Sequence, residues 1–146
     1  MKTSQKGIDL IKQFEGCRLK AYLCPAGIAT IGFGHTGSIA SKPVALGMTI
    51  SLNQAEILLK KDLEKFEKVI SQAVKVALTQ NQFDALVSFV YNVGEGNFKE
   101  STLLRLINVK DPKASEQFLV WVKAGKITLN GLFERRKAEK KVFDTK

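Results

Sequence analysis

Between Ser4 and Glu15 the apolar residues Ile8, Leu10, Ile11 and Phe14 recur at helical spacing, and Ile8, Ile11 and Glu15 share one row of that helix. Gly16 is placed to end it. Glu15 is thus the last helical residue on the inward side. The period then changes to two. Leu19, Ala21 and Leu23 alternate with Arg18, Lys20 and Tyr22, which predicts a strand with an apolar and a polar face. Cys24-Pro25-Ala26-Gly27 supplies a turn, and Ile28 to Phe33 resumes with β-branched and aromatic residues, so a β-hairpin is expected. Residues 34–50 read as a loop with room for one more short strand.

At Ser51 the pattern becomes helical again. Ser51 to Gln54 is a capping box ahead of an apolar row through Ala55, Leu59, Leu63, Phe66, Ile70 and Val74, which predicts one helix of about two dozen residues. Thr79 to Gln82 repeats the device before Phe83, Leu86, Val87 and Val90, with Gly94 as the stop. Further helices are expected at 101–108, from Asp111-Pro112 to Ala124, and from Gly131 to Phe143. Helix, small sheet, then helices alone is an α+β order. It predicts two lobes, a small N-terminal β-rich lobe and a larger helical lobe, joined by the long helix with a ligand cleft between them. One domain spanning residues 1–146 is expected, without repeats or linkers.

Composition narrows the function classes. A 45% hydrophobic content suffices for a core without metal or disulfide staples. Cys17 and Cys24 are too few and too close for a disulfide framework, and with His35 alone beside them they fall short of a zinc site; no metal or cofactor is expected. No apolar run is long enough to span a bilayer, and MKTSQKGIDL lacks a secretory h-region, which predicts a chain made and held in the cytoplasm. The formal charge of +9 favours an anionic partner. The excess lies at the ends: residues 1–50 carry 6 basic and 2 acidic side chains, residues 131–146 carry 6 and 3.

Chemistry concentrates near the hairpin. Glu15 lies on an apolar row at the negative end of its helix, and both circumstances disfavour an ionised carboxyl, as a general acid requires. A helix-terminal glutamate paired with Arg18 or Lys20 is the alternative. No second carboxylate occurs between Glu15 and Glu56, so a glycosidase of the usual two-carboxylate kind would need another anion; Cys24 is the candidate, against the simpler reading of a thiol packed under a turn. Thr30 suits a strand, and its hydroxyl also suits holding a water; whether it shares a face with Cys24 depends on the hairpin register. TIGFGH, residues 30–35, lacks the lysine of a P-loop and the full dinucleotide fingerprint, which excludes a nucleotide site. His35 reads as structural.

Taken together, these residues resemble the phage-type lysozymes, glycoside hydrolase family 24. The family's glutamate, eight residues, aspartate or cysteine, five residues, threonine is met by Glu15, Cys24 and Thr30. The likeness extends through FEGCRLKAYLCPAGIATIGFGHT, ALTQNQFDALVSFVYNVG (77–94), STLLRLIN (101–108), FLVWVKAGK (118–126) and GLFERRKAE (131–139). The resemblance implies a lysozyme-like fold and hydrolysis of the β-1,4 bond between N-acetylmuramic acid and N-acetylglucosamine in peptidoglycan, by an endolysin that lyses the host. It makes Glu15 the general acid and Thr30 an aid in placing water or intermediate. Cys24 stands where much of the family has aspartate, so its thiolate activates water, stabilises charge or contributes little. Tyr91 and Asn92 correspond to a stretch that lines the sugar site, against core packing for Tyr91 and a helix C-cap for Asn92. The resemblance also implies that a holin must release the chain to the wall.

Other readings are a lytic transglycosylase, a non-catalytic cationic membrane-active protein and a nucleic-acid binder. The last lacks a reader motif, and no nucleic-acid partner is expected. A monomer is expected. Arg135, Arg136, Lys137, Lys140 and Lys141 beside Leu132, Phe133, Val142 and Phe143 outline a cationic C-terminal helix that would meet an anionic envelope surface, with its arginines solvated; the alternative packs its apolar side into the helical lobe.

Overall fold

The first helix, α1 (Gln5–Glu15), starts behind Ser4, whose Oγ accepts the Gly7 N–H at 3.4 Å. Ser4 is itself anchored, donating its N–H to the Asp84 carboxylate at 3.0 Å. A Cβ on Gly7 would come within 2.7 Å of Asp84 Cγ, so only glycine allows the helix to lie this close to that carboxylate. Ile8, Leu10 and Ile11 are buried, and Gly16 ends the helix at φ +67°. The computed structural model describes residues 1–124 and 127–146, without the side chains of Ala124, Ile127 and Thr128; Gly125 and Lys126, the end of the FLVWVKAGK stretch, lie outside the described residues.

The expected hairpin forms. Strand β1 (Arg18–Leu23) pairs antiparallel with β2 (Ala29–Gly32), with Tyr22 opposite Thr30 and Leu23 opposite Ala29. The register slips between Arg18 and Tyr22, and the alternation does not survive it: Ala21 is buried, while Leu19 and Leu23 are exposed. An irregularity in a strand redirects the side chains beyond it, so the apolar face predicted for β1 is interrupted. Residues 34–50 hold a second hairpin, β3 (Ser38–Ile39) with β4 (Lys42–Pro43), joined through Ala40 and Ser41 at positive φ. They form a separate sheet where one added strand was expected. Ala21, Ile31 and Val44 centre a small core that Ala29, Ile39, Met48 and Ile50 flank.

Helix α2 (Leu52–Ala73) carries the predicted box: Ser51 N–H donates to Gln54 Oε1 at 2.8 Å and Gln54 N–H to Ser51 Oγ at 3.1 Å. Ala55, Leu59, Leu63 and Ile70 are buried on its apolar row, and Val74, just past its end, is buried as well. The chain divides into two compact units, one made of Glu15–Asp62 and the other of Met1–Phe14 with Leu63–Lys146, and α2 contributes to both. Within the larger unit α3 (Gln80–Val93) is central. Thr79 and Gln82 exchange both capping-box bonds, every residue from Phe83 to Val90 is buried, and Gly94 closes the helix. Helices α4 (Glu95–Lys99), α5 (Thr102–Asn108) and α6 (Asn130–Asp144) belong to the same unit. Phe89 of α3 is met edge-on by Phe98, Phe118 and Trp121, with centroids 6.4, 5.4 and 5.8 Å away.

Two helical expectations need correction. The stretch after Asp111-Pro112 is a 3-10 helix over Ala114–Val120, and the chain then enters β5 (Lys123–Ala124), paired with β6 (Ile127–Thr128). Valines 120 and 122 and Trp121 favour extended backbone, and anchoring of Phe118 against Phe89 fixes the short turn. In α6 the arginines expected in solvent are inside: Arg135, Arg136 and Glu139 are buried, whereas Phe133 is exposed.

Candidate active site

Glu15 occupies the last position of α1, half-buried, with Gly16 and Cys17 between it and the first residue of β1. The hairpin register settles the face question. Directly opposed residues of an antiparallel pair project to the same side, so Thr30 and Tyr22 are neighbours, and Cys24, two residues past Tyr22, continues on that side. The Thr30 side chain lies near enough to Cys24 to act on its thiol. Thr30 is 4% exposed and donates its hydroxyl to the Ile28 carbonyl at 2.9 Å, which leaves its oxygen lone pairs for a second partner.

The turn itself prepares the thiol. Cys24 N–H donates to Ile28 O at 3.0 Å and Gly27 N–H to Cys24 O at 2.8 Å, which folds the 24–28 backbone around the sulfur. Backbone N–H groups of Ile28 and Ala26 hold the Cys24 thiol below the ordinary thiol range against an upward push from desolvation, and the Thr30 side chain adds a weaker downward contribution. A half-exposed sulfur with stabilised negative charge is chemically different from a thiol packed under a turn. Arg18 adds a cation on the same side: its guanidinium lies over the Tyr22 ring, 4.6 Å from the centroid.

His35 is structural. It is 8% exposed, its Nδ1 is 2.7 Å from the Asp62 carboxylate and its Nε2 is 3.0 Å from the Ser38 carbonyl, which ties β3 to α2. Burial raises the Asp62 carboxyl above the usual range, an effect that His35 partly offsets. Among the described residues no group of three or more His, Cys, Asp or Glu side chains is arranged to hold a metal ion. No helix is long and apolar enough to cross a membrane among those residues.

Tyr91 and Asn92 lie in the last turn of α3. Tyr91 is half-buried and meets Phe66 edge to face at 5.4 Å. Asn92 is exposed, and the alternative of a helix C-cap does not apply, since Gly94 takes that position; its Oδ1 accepts from Arg136 Nη2. This bond belongs to a buried polar network that the sequence reading missed. Glu139 accepts from Ser88 Oγ at 2.5 Å, from Arg135 Nε at 3.2 Å and from Arg136 Nη1. Arg135 Nη2 also donates to the Ser88 carbonyl at 3.0 Å, and Arg136 Nε to the Trp121 carbonyl at 2.9 Å. The signal was present in the spacing: Arg135, Arg136 and Glu139 continue from Leu132 at i+3, i+4 and i+7, the inward stripe of an amphipathic helix.

The Phage lysozyme family matches residues 12–139, and the chain belongs to it. It is 46% identical over 144 residues to the endolysin of Salmonella phage P22, covering 98% of each. It is 45% identical over 150 residues to the endolysin of Acyrthosiphon pisum secondary endosymbiont phage 1, covering 99% of each. Among solved structures, the muramidase domain of SpmX from Asticaccaulis excentricus superposes with a TM-score of 0.92 at 38% identity and 99% coverage of both chains.

Proposed function

We propose that this chain is an endolysin that hydrolyses the β-1,4 bond between N-acetylmuramic acid and N-acetylglucosamine of peptidoglycan, as a single catalytic domain acting as a monomer. Membership of the phage lysozyme family and the endolysin and muramidase relatives support the substrate. The observation that carries the chemistry is the register that sets Thr30 opposite Tyr22, beside the Cys24 turn, on a hairpin that directly follows the helix ended by Glu15.

In this reading Glu15 delivers a proton to the bridging oxygen, so that the leaving sugar departs as an alcohol. Positive charge grows at the anomeric carbon. The Cys24 thiolate takes the place of the second carboxylate: a water that donates one hydrogen to the sulfur and the other to Thr30 Oγ1 has its remaining lone pairs for the carbon. As its oxygen attacks, the thiolate receives the proton. Tyr91 and Asn92 contribute an apolar ring and an amide for a sugar. Release from the cytoplasm would depend on a holin.

Purified peptidoglycan tests this. New reducing ends in the products support a hydrolase, whereas anhydro-sugar ends identify a lytic transglycosylase and overturn the reading. Glu15→Gln is expected to abolish release of fragments. Cys24→Asp is expected to retain activity that Cys24→Ala loses, since the anion is what matters; equal rates for Cys24→Ala and the parent would remove the thiol from the mechanism.

A further inference from the structure

We infer that Arg18 reads a carboxylate of the peptide stem carried by the muramyl sugars, making it a specificity-determining residue; this rests on the proposed wall-glycan substrate and adds which part of it the hairpin recognises. The guanidinium is exposed and spread over Tyr22 at 4.6 Å. Stacking restrains an otherwise rotamer-rich side chain whose planar guanidinium keeps N–H donors along its edge, so less entropy is lost when a partner arrives. Among the described residues Arg18 stacks on that ring, whereas Glu134, Glu95, Asp144 and Glu139 engage cations elsewhere. Its cross-strand partner is Gly32, which brings no side chain to compete for the group.

Placement supplies the function. Tyr22 is opposite Thr30, Cys24 follows Tyr22 by two residues at the hairpin turn, and Arg18 lies on the Tyr22 ring, so that ring joins Arg18 to the Thr30 position of the same hairpin. A glycan held at Cys24 and Thr30 would therefore present its neighbouring substituents to Arg18. The sugars themselves are neutral once the muramyl lactate is amidated. The charged groups on the strand are the carboxylates of the stem peptides, and a planar guanidinium edge binds a carboxylate through two parallel hydrogen bonds.

The test compares cleavage of intact, peptide-bearing peptidoglycan with that of glycan chains stripped of peptide by an amidase. The wild-type chain is expected to favour the peptide-bearing polymer. In Arg18→Gln the ratio of kcat/KM for peptide-bearing over stripped chains is expected to fall about tenfold, chiefly through KM, as loss of a paired ion worth roughly 1.4 kcal/mol predicts. A ratio unchanged by the substitution, whether or not both rates drop together, overturns the assignment. A second measurement separates this from failure of the substrate reading. Amidase-released stem peptide titrated into the full chain should move the Arg18 Nε–Hε NMR signal, and methyl-esterified peptide should not. If the wild type cleaves neither polymer but that shift persists, the hydrolase reading fails and Arg18 recognition stands; equal shifts with both peptides, or none, overturn the latter.

Discussion

Arg136 and Glu139 are ion-paired within a single turn of α6, and both side chains are 0% exposed. A charge pair in that setting is held by its surroundings: Ser88, Trp121, Asn92 and Arg135 supply further hydrogen bonds. Removing one partner leaves the other charged and dehydrated. Glu139→Ala is therefore expected to cost about 3–5 kcal/mol, read as a lower midpoint in urea unfolding. Glu139→Ala with Arg136→Met should cost less than the two separate losses added together, because the double variant strands no charge on that pair.

The thiol offers a pH measurement. Alkylation by iodoacetamide consumes thiolate, so the rate at Cys24 in a Cys17→Ser background rises with pH and levels off above the folded pKa. Because that pKa is lowered, the midpoint is expected below the ordinary thiol value of 9.0. Thr30→Val removes the hydroxyl, one of the groups that lower the thiol pKa, and should move the midpoint upward. If the thiolate is the catalytic anion, lytic activity falls as pH drops through the same midpoint; coincidence of the two profiles in parent and variant checks the link.

Gly7→Ala places a methyl group 2.7 Å from the Asp84 carboxyl carbon and equally near Thr3 Cγ2. In an exposed helix the same change would stabilise by about 0.5–1 kcal/mol. Here overpacking prevails, with an expected loss of about 1–3 kcal/mol. Thermal unfolding of parent and variant gives the sign directly.

Thr79→Ala deletes the acceptor of the Gln82 N–H and breaks a reciprocal cap at the start of α3. A loss of about 1 kcal/mol is expected. The equivalent Ser51→Ala change at α2 should cost a similar amount, since its box has the same two bonds. Both are measurable by chemical denaturation.

The elements that sequence patterning placed best were those with local punctuation. Ser51 and Thr79 announce their helices by side-chain chemistry confined to four residues, and Gly16 and Gly94 end theirs by conformation. The pair Cys24 and Thr30 was legible as candidates but not as neighbours, since a hairpin's register is decided by pairing over the whole strand and here by a slip between Arg18 and Tyr22. What escaped was decided by tertiary contact. The 114–120 segment carries a proline-led helix start, yet its conformation answers to Phe118 packing on Phe89 and to the strand beyond. The inward turn of Arg135 and Arg136 depends on Ser88 and Trp121, 47 and 15 residues away respectively in sequence.

Those interior guanidiniums change what the basic C-terminus has to offer a lipid headgroup. Of the five cations once counted toward an outward-facing stripe, only Lys137, Lys140 and Lys141 remain available, and the first two already sit beside Glu134 and Asp144 at 3.1 and 2.9 Å. Liposome recruitment by this helix, if it occurs, is thus a three-lysine property weakened by local acids. Neutralising those lysines alone probes it, whereas neutralising all five would dismantle the scaffold and mimic a loss of adhesion.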